Sequence, residues 1–186
     1  MSISCITLKE CYRISLFFRS EFCGRECYLR RINRYISLIK CFYYNHFTNR
    51  VSVGSGTNWQ RNFVIQCVTG KIKIGKKCFF NNGCSLNCKE EIIIGDHCLF
   101  GENVKMYDHN HVYHDISKPI AGQGFTTAPI RIGNNCWIGS NVTILKGVEI
   151  GDNTIIGANC LIYKSIPSSS IVTLSQELSI RKREDS

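Results

Sequence analysis

Isoleucines stand at positions 132, 138, 144, 150, 156 and 162, a strict six-residue period. An α-helix repeats its buried face every ~3.6 residues and a strand every ~2, so neither an ordinary helix nor a plain hairpin sheet carries this beat. A coil wound as a three-sided prism does, with one buried anchor on each short side. The chain is therefore expected to be an all-β solenoid, a left-handed parallel β-helix. Four of the anchors are followed by glycine (Ile132-Gly133, Ile138-Gly139, Ile150-Gly151, Ile156-Gly157), read here as the residue that tolerates unusual backbone angles at the corners.

The beat continues upstream. Ile74, Phe80 and Leu86 keep it, and Ile94, Phe100 and Met106 keep it again after a slip of two residues. It then lapses from Met106 to Ile132. That interval holds Tyr107-Asp108-His109-Asn110-His111-Val112-Tyr113-His114-Asp115 and a Gly/Pro/Thr-rich stretch, so one long loop (107–131) should protrude from the coil. A polar loop of that length in a regular scaffold is where function is expected.

Two residues before each anchor lie Ile72, Cys78, Cys84, Ile92, Cys98, Val104, Ile130, Cys136, Val142, Val148, Thr154 and Cys160. In an extended segment i and i−2 face the same way, so these side chains should share the prism interior, with cysteine acting as a small hydrophobe. That absorbs five of the twelve cysteines. Cys5, Cys11, Cys23, Cys27, Cys41, Cys67 and Cys88 form no CxxC pair and have no ligand-like spacing with histidine, so no metal is expected. With no secretory leader pattern either, the expected compartment is the cytoplasm.

No run of about 18 apolar residues exists to span a bilayer. The net charge of +9 is concentrated early, with nine Lys/Arg against three Glu in residues 1–50. Within that basic extension Leu29, Ile32, Ile36, Ile39 and Tyr43 make one helical stripe, while Arg30, Arg31, Arg34 and Lys40 lie largely off it, which predicts a helix from about 26 to 44. Such a helix either caps the open end of the solenoid or lies on an anionic leaflet as a peripheral anchor at the inner face of the membrane. Domains are accordingly placed at 1–50 (extension), 51–166 (β-helix) and 167–186 (tail). Asn141-Val142-Thr143 lies inside the repeat and reads as chance, Gly54-Ser55-Gly56 as a turn, and only the net charge favours nucleic acid, so none is expected as a partner.

The hexads, the loop with Tyr107-Asp108-His109-Asn110-His111, and the run Ile132-Gly133-Asn134-Asn135-Cys136-Trp137-Ile138-Gly139-Ser140-Asn141-Val142-Thr143-Ile144-Leu145 resemble the hexapeptide-repeat acyltransferases. The nearest branch is that of galactoside/maltose acetyltransferases and capsular or lipopolysaccharide O-acetyltransferases. The resemblance covers about residues 51 to 181. It implies a homotrimer with sites between neighbouring solenoids, acetyl-CoA as donor, and a saccharide acceptor, here a bacterial surface polysaccharide or its precursor.

Carried over by residue, the resemblance makes His109 the general base, with His111 as second candidate and His114 also in the loop. An imidazole suits the task because it can take a hydroxyl proton near neutral pH, worth about 10²–10⁴ in rate. The backbone N–H of Ser140 would face the thioester oxygen. Asn81 matches a polar substrate contact, and Trp137 an aromatic lining the acceptor side. Ala158, Tyr163 and Lys164 match the groove for the acyl donor, and Arg181 a base near its 3′-phosphate. The group orienting His109 is left open: Asp108 should point away from it in an extended chain, leaving Asp115 or a residue of the next subunit.

The chain departs from the pattern in two places. The tail after Ile166-Pro167 lacks the usual Gly-x-Pro turn, and Asn110 stands where the sugar-acetylating branch has proline. Three other readings are kept. A γ-type carbonic anhydrase shares the solenoid and would draw zinc ligands from His97, His109, His111 and His114. A serine acetyltransferase would need a larger N-terminal domain, and a catalytically silent scaffold would need no chemistry at all.

Overall fold

The structure, a computed structural model, describes residues 50–67 and 69–175. The helix expected at 26–44 and Arg181 lie outside the described residues.

Three parallel sheets run the length of a solenoid. The first stacks β1 (Val51–Val53), β4 (Lys71–Ile74), β7 (Glu91–Ile94), β12 (Ile130–Ile132) and β15 (Glu149–Ile150). The second stacks β2 (Asn58–Trp59), β5 (Phe79–Phe80), β8 (Leu99–Phe100), β13 (Trp137–Ile138), β16 (Ile155–Ile156) and β18 (Ile171–Val172). The third stacks β3 (Val64–Cys67), β6 (Ser85–Cys88), β9 (Lys105–Tyr107), β14 (Thr143–Leu145) and β17 (Leu161–Ile162). Each coil contributes one strand to each sheet, so the chain turns three corners per coil. The winding runs on through β18, which pairs with β16 in register Ile155↔Ile171.

All six isoleucine anchors are buried, as are Ile74, Phe80, Leu86, Ile94, Phe100, Met106 and the whole set two residues before the anchors. Anchors stack on anchors because parallel register repeats coil by coil, as in Ile74↔Ile94, Ile94↔Ile132 and Ile132↔Ile150. Phe63, Phe80 and Phe100 form a column of rings with centroids 4.7 and 4.4 Å apart. Cys67 and Cys88 are buried too, paired with each other in register at the ends of β3 and β6. The two-residue slip had hidden them from the hexad count.

The glycines that follow anchors are there for clearance and not for backbone angle. A Cβ on Gly139 would sit 2.6 Å from the Ala158 nitrogen, and one on Gly133 2.6 Å from the Asp152 nitrogen. The left-handed conformation falls two residues later, at Asn135 (φ 53°), Asn141 (60°), Asn153 (58°) and Asn159 (62°), where asparagine tolerates it. These asparagines also tie coil to coil: Asn141 Nδ2 donates to Asn159 Oδ1 at 3.1 Å and Asn135 Nδ2 to Asn153 Oδ1 at 2.9 Å.

The interior cysteines do more than fill space. At the corner between the first and second sheets, Thr57, Cys78, Cys98, Cys136 and Thr154 form one column. Each donates across to a carbonyl of the next coil: Gly75 (2.8 Å), Gly95 (3.1 Å), Gly133 (3.1 Å), Gly151 (3.3 Å) and Pro167 (3.1 Å). A buried carbonyl left without a donor is costly, so serial Cys/Thr use at this corner follows from hydrogen bonding as well as size. Contact with Cys98 draws the Cys78 and Cys136 thiols down to about 7, while Cys98 itself is pushed up.

Candidate active site

The protruding loop leaves the coil at the corner between the third and first sheets. It folds as an antiparallel hairpin of β10 (His109–His111) and β11 (Phe125–Thr127), with His109↔Thr127 and His111↔Phe125 in register. The backbone of Asp108 anchors its root, accepting from Ala128 N at 2.9 Å.

Asp108 does not point away from His109. Its side chain is fully buried, following the inward alternation set by Met106, and its Oδ1 lies 2.9 Å from His109 Nδ1. Alternation fails as a guide here because the chain leaves the third sheet between these two residues and starts the hairpin. The carboxylate also accepts Lys89 N (2.9 and 3.0 Å to its two oxygens) and Glu90 N (2.7 Å to Oδ2). A buried carboxylate needs such donors. Lys89 and Glu90 belong to the very corner where the two-residue slip lengthens the coil.

The His109 ring is partly buried, edge-on to Phe125 (5.4 Å, 83°) and to Tyr107 (6.5 Å, 78°). His111 packs on the same Phe125 at 4.4 Å, as expected for residues sharing one side of a strand. Lys89 Nζ lies 3.7 Å from the Phe125 ring centre, bracing the hairpin from the coil. His114 stacks near Tyr113 further out. Asp115 is engaged with Lys118 and Ser117, which hold its carboxyl below the usual range, and so is committed elsewhere. His97 occupies another corner, between the first and second sheets, in a left-handed conformation (φ 61°).

Asn81, Ser140 and Ala158 occupy the corner between the second and third sheets, on the second, fourth and fifth coils. Sequence reading missed the residue that joins two of them. Glu102 accepts Asn81 Nδ2 through Oε1 (2.7 Å) and the Ser140 hydroxyl through Oε2 (2.7 Å), and its N–H donates to Ser140 Oγ (3.2 Å). The Ser140 hydroxyl, then its own backbone N–H and Asn81, hold the exposed Glu102 carboxyl below the usual range. Its one sequence signal is being the only charged residue among Asn81-Asn82-Gly83, Gly101-Glu102-Asn103, Gly139-Ser140-Asn141 and Gly157-Ala158-Asn159.

Trp137 is exposed on the outer face of the second sheet, in register with Leu99 and Ile155. Tyr163 and Lys164 follow β17 on the last full coil, exposed, with the ammonium 5.6 Å from the phenol ring centre. Within one chain, then, the loop histidines and the Asn81–Glu102–Ser140 row are not brought together. A strand of the third sheet, four residues or about 13 Å, separates the two corners.

The family model for the bacterial transferase hexapeptide (six repeats) matches residues 129–164, and that for the hexapeptide repeat of succinyl-transferase matches residues 91–105. Residues 91–105 and 129–164 thus carry hexapeptide repeats. Among curated relatives of this hexapeptide-repeat chain, a galactoside O-acetyltransferase of Escherichia coli is 39% identical over 101 residues, 54% of this chain and 48% of the relative. Among solved structures, a hexapeptide-repeat-containing acetyltransferase from Vibrio cholerae superposes with a TM-score of 0.59 at 26% identity, covering 95% of this chain and 90% of that one. A galactoside acetyltransferase solved with coenzyme A gives 0.57 at 25% identity, covering 83% and 80%. The chain spans 40 to 54% of the length of the curated relatives it matches.

Proposed function

We propose that this hexapeptide-repeat protein, wound left-handed, is an acetyl-CoA-dependent O-acetyltransferase that acylates a sugar hydroxyl, in a bacterial surface polysaccharide or its precursor. The observation that carries the reading is the pair of separated corners. A loop imidazole with its Nδ1 engaged stands at one corner, and a row of short side chains, Asn81, Ser140 and Ala158, the first two bridged by Glu102, stands at another. In a homotrimer each His109 would face the Asn81–Ser140–Ala158 corner of a neighbour, and a site would form at each seam. The similarity to galactoside O-acetyltransferase and to a neighbour solved with coenzyme A supports the donor and the reaction class.

In this mechanism His109 takes the proton from the acceptor hydroxyl as its oxygen bonds to the thioester carbon, and returns it to sulfur as the C–S bond breaks. Ser140 N–H offers a donor to the carbonyl oxygen, where charge develops. Trp137 gives a flat face for a sugar ring, and Ala158, Tyr163 and Lys164 would line the donor groove, with Arg181 near its phosphates. A need for acetyl-CoA as donor favours a cytoplasmic protein, with the basic 1–50 segment as cap or membrane contact.

The test is thiol release from acetyl-CoA across a panel of sugars and oligosaccharides, with oligomeric state read by native mass spectrometry. Acceptor-dependent release by a trimer, reduced at least about 10²-fold in His109→Ala, is the expected outcome. A monomer, or full activity in His109→Ala, refutes the mechanism.

A further inference from the structure

We propose that Asp108 is a positioning residue that fixes the tautomer of His109, holding the proton on Nδ1 and leaving Nε2 as the basic nitrogen. The inference rests on His109 as the base in the proposed reaction, but the tautomer can be read without any turnover.

The geometry determines where the proton sits. Both Asp108 oxygens accept backbone N–H groups, from Lys89 and Glu90, so the carboxyl acts as an acceptor at this site. The proton in the 2.9 Å contact between Oδ1 and Nδ1 therefore belongs to the imidazole. A neutral imidazole carries one proton, so a proton held on Nδ1 leaves a lone pair on Nε2. Orientation of a histidine through its second nitrogen is what lets a carboxylate tune a base it does not itself replace. Rotation of the ring is opposed from its sides by the Phe125 and Tyr107 contacts. Asp108 itself has no freedom to follow a moving loop, because it is fully buried and tied to two amides of the adjacent coil. The imidazole is thus referenced to the rigid solenoid, although it stands at the root of a hairpin.

Asp108→Asn is the informative change. To keep the shortest backbone contact, that of Glu90 N, asparagine must place its oxygen at the Oδ2 position. Its NH₂ then faces Nδ1 of His109 and demands an acceptor there, which moves the ring proton to Nε2. Long-range ¹H–¹⁵N correlation spectra of histidine-labelled protein read this directly, with His109 assigned by its loss in His109→Gln. The wild type should show a protonated Nδ1 and a bare Nε2 in the neutral ring, and Asp108→Asn the reverse. With an active acceptor, kcat should fall about 10²–10⁴-fold, while KM for acetyl-CoA stays within about twofold because the donor corner is untouched.

A wild-type ring protonated on Nε2 overturns the proposal, as does an Asp108→Asn protein that keeps the wild-type tautomer with kcat within about threefold. If the variant does not fold, the wild-type spectrum decides by itself. The stated tautomer in a protein inactive toward every sugar would support the clasp and refute the reaction.

Discussion

Gly139→Ala tests whether the coils of this solenoid are spaced by backbone contact. The added Cβ would meet three backbone atoms of the next coil: Ala158 N at 2.6 Å, the Gly157 carbonyl carbon at 2.8 Å and Ile156 O at 2.9 Å. None belongs to a flexible side chain that could swing aside. Restoring an ordinary separation of about 3.5 Å requires the coils to part locally by about 0.9 Å. The hydrogen bond from Gly139 N to Ile156 O, 2.7 Å in the native protein, would then stretch past its useful range. Overpacking costs about 1–3 kcal/mol and the lost bond about 0.5–1.5 kcal/mol. The stiffer unfolded chain returns about 0.4–1 kcal/mol. The net loss spans about 0.5–4 kcal/mol and centres at about 2 kcal/mol, or a fall in Tm of roughly 4–8 °C at that centre. Gly157→Ala is the control, because its Cβ meets nothing nearer than Val172 O at 3.2 Å. Far-UV circular dichroism melts at one fixed protein concentration compare the two. Equal melting temperatures for the variants, or Gly139→Ala within 1 °C of wild type, would show that glycine is required here for some other reason.

Two further outcomes follow from the corner ladders. Cys98→Thr should be more stable than Cys98→Val by about 0.5–1.5 kcal/mol in urea titrations, since threonine keeps a donor for Gly133 O as Thr57 and Thr154 do in the same column; equal stability would make the column purely steric. Glu102 should titrate below an ordinary glutamate. A lowered folded value means its charged form holds Asn81 and Ser140 through the usual carboxylate range and releases them only at more acid pH. Carboxyl ¹³C titration by NMR should therefore show the Glu102 midpoint rise in Ser140→Ala, whose hydroxyl is the main cause of the lowering; an unmoved midpoint would count against the row.

How far the molecule could be read from its sequence depended on whether a residue's role was periodic. The anchors and the residues two before them repeat every six, so each is visible in the sequence. Cys67 and Cys88 share that interior, yet the extra residues at their corner put them off the beat. The corner glycines were recognised but for the wrong reason, because contact between coils separated by about 18 residues leaves no trace in local backbone preference. Glu102 faces outward, where any polar residue is allowed, and only its charge set it apart. Asp108 was misjudged because alternation holds only while a strand stays straight, and the chain turns between it and His109. The same slip that broke the hexad count bears on that pair. Lys89 and Glu90 lie at the lengthened corner, and their amides are the donors that a buried carboxylate requires. Removing those two residues would make the repeat more regular and take from the buried Asp108 the two amides that now donate to it. The irregularity is thus a structural condition for holding an imidazole against the prism, and a break in a repeat is the place to look for the groups that support a site.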